Sequence, residues 1–306
     1  MKPNVYAASA PRRAWIARAI SAGCGGLAVA ALLGIAVNGR AAEIAAPYVP
    51  TAPSVVERML EIAKVSAQDY VIDLGSGDGR INILAAKKYG AHGLGIEIDP
   101  KLVALATANA LAAGVGDRVS FYEGDLFTTD LSKATVVTIY LLKIATMKLR
   151  SKLLDLRPGT RIVSHAASMG EWKADYFEML DVKDRVRPDA PIKTYIHFWI
   201  VPAKVAGNWR WSLPVGAGTQ DYELTLAQEF QAITGTLRVG GREIALDERK
   251  LEGDRITLAF TAEVGGKARA QRLAGRVTGQ SIAGTVEFRD ERAPGQMKWN
   301  ATRVAR

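Results

Sequence analysis

The chain contains little cysteine and little histidine. Among its 306 residues there is one cysteine, Cys24, and there are three histidines, His92, His165 and His197. A lone thiol cannot form an intrachain disulfide, and the three histidines are too scattered to show metal-ligand spacing. We therefore predict no disulfide and no metal site.

Dense basic runs interleaved with aromatic residues are also missing. Lys and Arg number 40 against 31 Asp and Glu, a net charge of +9 that suits an acidic partner such as a membrane surface or nucleic acid. Aromatic residues make up 7% of the chain and are not grouped with these cations. We interpret most of the charge as solvated surface, with no strong nucleic-acid signal.

Apolar residues form one long run, residues 19–37, close to the N-terminus. Basic residues between positions 2 and 18 precede it, and small residues suited to signal-peptidase cleavage follow near Ala42. We predict that residues 1–45 are a signal peptide or an uncleaved membrane anchor. Both alternatives imply a membrane-anchored or exported protein, and a catalytic domain on the cytoplasmic side stays open.

Residues 46–203 alternate short apolar β-rich runs with helical patterns, which predicts an α/β fold with a doubly wound, mostly parallel seven-strand sheet. The first helix follows Pro53, with Ser54 as its candidate N-cap. The last two strands have no helix between them and are expected to form an antiparallel hairpin. The predicted strands are 69–74, 92–98, 118–122, 134–141, 160–165, 174–182 and 194–201, and the predicted helices are 53–65, 79–88, 100–113 and 145–155.

Residues 207–306 lose the helical period. Strand-length runs follow one another at a spacing of roughly 8 to 12 residues, with glycine or charged turns between them. One of these runs is REIALDERKL, residues 242–251. The pattern predicts an all-β accessory domain, a meander or small barrel.

A glycine-rich turn occurs in VIDLGSGDGR, residues 71–80, between a predicted strand and a predicted helix. Gly75, Gly77 and Gly79 allow the backbone to approach a ligand closely and lead into a helix N-terminus. A dinucleotide site requires glycine at the sixth position, where this chain has Arg80. The spacing is G-x-G-x-G instead, and it favours a different nucleotide ligand.

Acidic residues lie at or just after the ends of three successive predicted strands. Asp73 is placed to accept a hydrogen bond from an ammonium group, Glu97 to bind both hydroxyls of a ribose, and Asp125 to accept from an adenine amino group. Leu126 is placed to pack on the adenine ring, while Asp99 is better interpreted as the cap of the next helix. Considered alone, Asp125 has a loop cap as its other interpretation. Together the three acids predict S-adenosylmethionine as the cofactor.

Four motifs carry a resemblance to a known family: PYVPT (47–51), DLGSGDGRI (73–81), GIEID (95–99) and DLF (125–127). They resemble the class I, seven-β-strand methyltransferases, and are similar to the protein-lysine methyltransferases of the ATP synthase c subunit and the adenine nucleotide translocase, with their bacterial relatives. The resemblance implies a Rossmann-like fold, S-adenosylmethionine and a protein lysine as acceptor, with a membrane protein as one candidate.

The resemblance also implies that Tyr48 and Thr51 fold over the cofactor, although an extended linker is the other interpretation of PYVPT. The predicted cofactor-binding residues are Tyr48, Thr51, Asp73, Gly75, Ser76, Gly77, Gly79, Glu97, Ile98, Asp125 and Leu126.

The acceptor side is predicted from two strand ends. TVVTIYLLKI, residues 135–144, lacks the N-P-P-Y tetrad of many adenine and glutamine methyltransferases, which disfavours those acceptors. Tyr140 is the candidate for lining the acceptor channel, with a core tyrosine as the alternative. Ser164, His165 and Trp172 are expected near the same rim, and His165 is a candidate base.

The expected reaction is an in-line transfer of the methyl group to a nucleophile, with catalysis by positioning and exclusion of water. Two other functions stay open. One is a small-molecule or RNA methyltransferase. The other is a non-catalytic envelope protein on a degenerate methyltransferase fold, because an exported domain would meet little S-adenosylmethionine.

Overall fold

A computed structural model describes residues 48–182, 191–289 and 295–304. The predicted signal peptide or anchor over residues 1–45 lies outside the described residues and stays a prediction. Within the described ranges, no helix is both long enough and apolar enough to cross a membrane.

The first half of the described chain forms a mixed sheet covered by helices. Its helices are α1 Pro53–Ile62, α2 Arg80–Tyr89, α3 Pro100–Ala112 and α4 Lys143–Leu154. Its strands are β1 Tyr70–Leu74, β2 His92–Glu97, β3 Val119–Glu123, β4 Val136–Ile139, β5 Arg161–His165, β6 Tyr176–Val182 and β7 Ile192–Ile200.

The strand order is β3-β2-β1-β4-β5-β7-β6. Strands β1 to β5 are parallel, whereas β7 runs antiparallel to both β5 and β6. The doubly wound, mostly parallel seven-strand sheet with a terminal hairpin is therefore confirmed. The order in which successive strands are added to the sheet reverses between β1 and β4. Open α/β sheets bind ligands at the carboxyl ends of the strands flanking such a point.

The helices cover both faces of this sheet because its central strands are apolar on both sides. In β1, Ile72 and Leu74 pack in a core with Leu149 and Leu153 of α4, whereas Val71 packs in the opposite core with α1 and α2. The polar exception in β1 is its buried Asp73. An acid in such a strand costs free energy of folding unless it has a partner.

The predicted start of α1 is wrong in one detail. Ala52 is the N-cap and Pro53 the first helical residue, with no side-chain cap, so Ser54 does not cap the helix. The fixed φ of proline suits the first turn and replaces the cap as the start signal. At α3, Asp99 does cap the helix, accepting a 2.8 Å hydrogen bond from the Lys101 amide.

The second half forms an antiparallel sheet with a largely apolar interior, in which Trp209, Tyr222, Phe260 and Trp299 are buried. Its strand order is β11-β10-β9-β8-β16-β15-β14-β13-β12. The strands are β8 Gly207–Val215, β9 Gly218–Glu229, β10 Ala232–Val239, β11 Arg242–Ile244, β12 Glu248–Glu252, β13 Arg255–Val264, β14 Lys267–Thr278, β15 Ser281–Arg289 and β16 Gly295–Val304.

The all-β meander is confirmed, but the interpretation of REIALDERKL as one strand is wrong. Its first residues form β11, which pairs with β10, and its last residues form β12, which pairs with β13. These two short strands are the opposite edges of the sheet, so the segment passes from one edge to the other. The domain boundaries at 203 and 207 stay a prediction.

Candidate active site

A cleft lies at the carboxyl ends of the strands around the point, between β1 and β4, where the strand order reverses. All the predicted cofactor-binding residues except Gly79 line this cleft, and so does Tyr140. Gly79 instead caps α2. A Cβ atom on it would lie 2.5 Å from the Phe121 ring, so this glycine serves close packing between the turn and its neighbours.

The glycine turn after β1 adopts a backbone that few other residues tolerate. Gly75, Gly77 and Gly79 have φ angles of 81°, 54° and 80°. A Cβ atom at Gly77 would lie 2.6 Å from the Tyr48 ring, so a side chain there would clash as well as strain the backbone. Within the same turn, the buried Ser76 hydroxyl has no hydrogen-bond partner among the residues that the structure describes, which leaves a donor and an acceptor for a ligand.

Asp73 is 2% exposed at the end of β1. Burial above all, together with the nearby acids Glu97 and Asp78, raises the pKa of its carboxyl to about 7, against the lowering effect of one hydrogen bond from Thr138 Oγ1 at 2.5 Å. A cation placed beside this carboxylate would offset its desolvation and lower the pKa. The site therefore favours a ligand with a positive charge at this end.

Glu97 connects the end of β2 to the glycine turn. One carboxylate oxygen accepts from the Gly77 amide at 2.9 Å, and the other accepts from the amides of Ile98 at 2.8 Å and Asp99 at 3.1 Å. These bonds fix the carboxylate at the cleft wall. The oxygen that accepts from Gly77 keeps a second lone pair, which can accept from a ribose hydroxyl, whereas the other oxygen already accepts two bonds.

Asp125 combines both interpretations made from the sequence. Its carboxylate accepts from the Phe127 amide at 2.8 Å, which is a loop cap, and the residue also lines the cleft. Leu126 is buried beside it and packs in the core next to α4.

Lys152 is a structural contributor that the sequence did not single out. From α4, its ammonium donates to the carbonyls of Leu126 at 3.0 Å and Phe127 at 2.9 Å, and also to Thr129. Burial lowers the pKa of this lysine. Lys152 therefore holds the loop after β3 in place against α4.

Tyr140 and His165 lie together at the ends of β4 and β5, with ring centroids 3.9 Å apart and a 30° angle between the rings. His165 is 6% exposed, and burial lowers its pKa to about 4. Its Nε2 lies 2.7 Å from Thr194 Oγ1, and its Nδ1 lies 3.5 Å from Thr51 Oγ1. The ring is therefore neutral near pH 7, and its role as a base stays a prediction.

The two other residues expected at this rim are buried in the fold. Ser164 is fully buried in β5, and the Trp172 ring packs in the core against Trp199 and Phe230. The expectation for these two was wrong because the strand end carries His165 toward Tyr140, whereas the following loop folds back on the core.

The comparisons with known proteins match this part of the chain. Residues 73–176 match the model of the ANTKMT methyltransferase domain. A protein-lysine N-methyltransferase of Saccharolobus islandicus is 47% identical over 140 residues, which are 45% of this chain and 86% of that protein. This chain belongs to the ANTKMT methyltransferase family. It is a class I S-adenosylmethionine-dependent methyltransferase.

Other relatives of the methyltransferase match over less of their own length. The lysine N-methyltransferase of the ATP synthase c subunit from Xenopus laevis is 32% identical, over 42% of this chain and 57% of that protein. The adenine nucleotide translocase lysine N-methyltransferase of Mus musculus is 34% identical, over 42% of this chain and 56% of that protein. The chain thus spans just over half the length of these two relatives.

A solved structure described as an RNA methyltransferase from Salinibacter ruber, in complex with S-adenosyl-L-homocysteine, is also similar. Its sequence identity is 48%, with coverage of 51% of this chain and 96% of that chain and a TM-score of 0.46.

The residues of the cleft fit S-adenosylmethionine. The buried Asp73 carboxylate would receive the ammonium of the cofactor, and the Ser76 hydroxyl of the glycine turn has no partner among the described residues. Glu97 and Asp125 line the same cleft and would take the ribose and the adenine. The cleft therefore offers a polar group for each of these parts of the molecule.

Proposed function

We propose that this methyltransferase transfers the methyl group to the side-chain nitrogen of a protein lysine. The observation that carries the proposal is the 47% identity to an archaeal protein-lysine N-methyltransferase, of which the chain spans 86%. The absence of an N-P-P-Y tetrad after β4 agrees with an acceptor other than a planar amide or an adenine amine.

The chain contributes binding and positioning to this reaction. When bound, S-adenosylmethionine supplies an electrophilic methyl group on its sulfonium. Asp73 would hold the ammonium of the cofactor and Glu97 its ribose, and Tyr140 lines the same cleft, where we expect the acceptor to enter. A lysine held against this ring is partly desolvated, which lowers its pKa and favours the neutral nucleophile, whose proton leaves to water.

The proposal is tested by labelling. The purified full chain is incubated with methyl-labelled S-adenosylmethionine and a lysate divided into membrane, soluble protein and RNA fractions, with Glu97→Ala as the inactive control. We expect label in protein that survives ribonuclease and appears as methylated lysine after acid hydrolysis. Label found only in RNA or in a small molecule would support the other acceptor classes instead. No label from a chain that binds cofactor would support the non-catalytic alternative.

We also propose that residues 19–37 attach the enzyme to a membrane. The support is the apolar run itself with its preceding basic residues. A reporter fused to the C-terminus of the full chain tests both attachment and side: we expect the fusion in the membrane fraction and absent after deletion of residues 1–45. Reporter activity then decides between the cytoplasmic and the exported side, and a soluble full-length fusion would contradict attachment.

A further inference from the structure

Arg80 occupies a position that helix stability does not explain. It is the first residue of α2, directly after the glycine turn, and the first turn of that helix contains no acidic residue. A cation at a helix N-terminus opposes the helix dipole, at a cost of roughly 0.3–1 kcal/mol at an exposed site. The reason for an arginine here therefore lies in what its guanidinium contacts.

The guanidinium joins the glycine turn to residues 48–51, which we call the strap. Its Nε and Nη2 donate to the two carboxylate oxygens of Asp78 at 2.8 Å and 2.5 Å. Its Nη1 donates to the carbonyl of Thr51 at 2.7 Å. The hydrogen bonds from Arg80 lower the pKa of Asp78, so the pair stays charged. A lysine has no such planar fork and cannot make all three contacts.

The strap contacts the turn at a second point. The Tyr48 ring lies so close to Gly77 that an added Cβ atom would be 2.6 Å from it. Partial burial and the charge of Asp78 raise the pKa of the Tyr48 hydroxyl. The strap is therefore fixed to the glycine turn at both of its ends, by a ring contact at Tyr48 and by Arg80 at Thr51.

The strap lies toward one end of the cleft. Its contacts lead to the glycine turn after β1 and, through the Thr51 hydroxyl, to His165 at the end of β5. Asp125 follows β3, two strands away from β1 in the other direction, a separation of about 10 Å across the sheet. The strap thus lies on the side of Asp73, where the amino-acid end of the cofactor binds, and away from the adenine end.

We propose that Arg80 is a positioning residue that holds the strap against the amino-acid end of the cofactor. Removing the fork frees the strap, and only ligands that reach the strap lose affinity. S-adenosylhomocysteine carries the amino-acid end, whereas methylthioadenosine carries the adenosine and the sulfur without it. Loss of Arg80 should therefore weaken the binding of S-adenosylhomocysteine only, whereas a general weakening of the fold would reduce the affinity for both ligands.

The matched control is Arg161, the first residue of β5, which bridges a carboxylate and backbone carbonyls at the amino ends of the strands, away from the cleft. It pairs with Asp69 and donates to the carbonyls of Ala63 at 2.7 Å and Lys64 at 3.0 Å. Its side chain is 23% exposed, close to the 28% of Arg80. Arg161→Met and Arg80→Met thus remove similar interactions, with only the second at the cleft.

Calorimetry with both ligands tests the proposal. For Arg80→Met we expect the Kd of S-adenosylhomocysteine to rise roughly tenfold or more, and that of methylthioadenosine to change by less than about twofold. Arg80→Lys is expected to show a smaller loss with the same selectivity, and it decides the question if Arg80→Met does not fold. Arg161→Met is expected to leave the ratio of the two constants unchanged. Equal losses for both ligands, or no loss for S-adenosylhomocysteine, would overturn the proposal.

Amide hydrogen exchange in the absence of ligand gives a second readout. We expect faster exchange in the strap of Arg80→Met than in wild type or Arg161→Met, with the exchange of β1 and β4 unchanged. Combining Arg80→Met with Tyr48→Ala tests whether the two residues act together on the strap. Once one substitution has freed the strap, the other is expected to reduce the affinity for S-adenosylhomocysteine little further. Additive losses of S-adenosylhomocysteine affinity, or an unchanged strap, would contradict the role of Arg80.

Discussion

Asp73 makes cofactor affinity depend on pH. The carboxylate must be ionised to accept from the ligand ammonium, and burial raises its pKa to about 7 in the ligand-free protein. As pH falls below about 7 the carboxyl becomes protonated before binding, so the Kd of S-adenosylhomocysteine rises, by up to about tenfold per pH unit. The α-amino group of the ligand, a free amino acid with a neighbouring carboxylate, keeps its proton through this range. We therefore expect the tightest binding above about pH 7.

Calorimetry between pH 5.5 and 8.5 measures this dependence. Methylthioadenosine, which lacks the amino group, serves as the control ligand and is expected to bind with a nearly constant Kd. Asp73→Asn is expected to bind S-adenosylhomocysteine weakly at every pH and to lose the acid limb. A Kd for the wild type that stays constant from pH 5.5 to 7.5 would show that Asp73 does not receive the ammonium.

His165 offers a prediction that separates a base from a positioning residue. Because burial lowers its pKa to about 4, the ring is neutral across the working range and does not itself create a limb in the rate profile near pH 6.5. Its ring centroid lies 3.9 Å from that of Tyr140, which indicates that His165 orients the Tyr140 ring. For His165→Gln we expect a lower kcat, roughly tenfold, with the shape of the pH profile at saturating cofactor unchanged. Loss of an ascending limb in this variant would identify His165 as the base.

The site residues predicted from the sequence share one property: their position at a strand end and their side-chain chemistry both indicate a ligand. Asp73, Glu97 and Asp125 are of this kind, and all three line one cleft. Arg80 and Lys152 were not predicted because both donate to backbone carbonyls, of Thr51 and of the loop after β3, and such contacts leave no pattern of residue types in the sequence.

At the scale of elements, Lys152 connects α4 to the loop at Asp125, where we expect the adenine to bind. Its hydrogen bonds to the carbonyls of Leu126 and Phe127 hold the loop that places Asp125. For Lys152→Met we expect both S-adenosylhomocysteine and methylthioadenosine to lose affinity by a similar factor, roughly three- to tenfold, because both contain adenine. Calorimetry with the two ligands measures this, with the exposed Lys87→Met on α2 as the control. A loss confined to S-adenosylhomocysteine would place the effect at the other end of the cleft.

The elements were predictable to the extent that one local signal decides them. The parallel strands are continuous apolar runs between turn signals, and the hairpin of β6 and β7 follows from the missing helix. The break in REIALDERKL was not predictable, because what interrupts it is the pairing of its two halves with different strands, β10 and β13, that are distant from each other in the strand order. Long-range pairing of this kind has no counterpart in local periodicity.

At the scale of the whole molecule, the two sheets share an apolar junction. Phe230 of the turn after β9 stacks on Trp172 with ring centroids 6.1 Å apart, and the Gln231 side chain donates to the Lys173 carbonyl at 2.7 Å. In the connecting segment, Val201 is buried in the first core and Val205 in the second. The sequence predicted two β-containing parts but not this junction, because aromatic contacts across elements distant in sequence carry no spacing signal.

This junction predicts that a ligand of one sheet stabilises the other. At a concentration about 100 times its Kd, S-adenosylhomocysteine adds about 2.7 kcal/mol to the folded state, which corresponds to a rise in Tm of roughly 5–10 °C for a unit of this size. Helix circular dichroism reports the first sheet with its helices. The fluorescence of a dye on a cysteine introduced at the exposed Ser281 of β15, with Cys24 replaced, reports the second and leaves Trp172 in place. We expect both signals to shift by the same amount when the junction is otherwise unaltered.

Phe230→Ala is the variant that tests whether the junction carries this coupling. The smaller side chain removes the stack on Trp172. Because a truncated aromatic at a packed contact costs on the order of 1–3 kcal/mol, the variant is expected to keep the cleft but to separate the two transitions. Ligand then raises the Tm of the helix signal but leaves the Tm of the fluorescence signal unchanged. If ligand does not change the Tm of the fluorescence transition even when Phe230 is intact, the two sheets unfold independently and the second sheet does not stabilise the cleft.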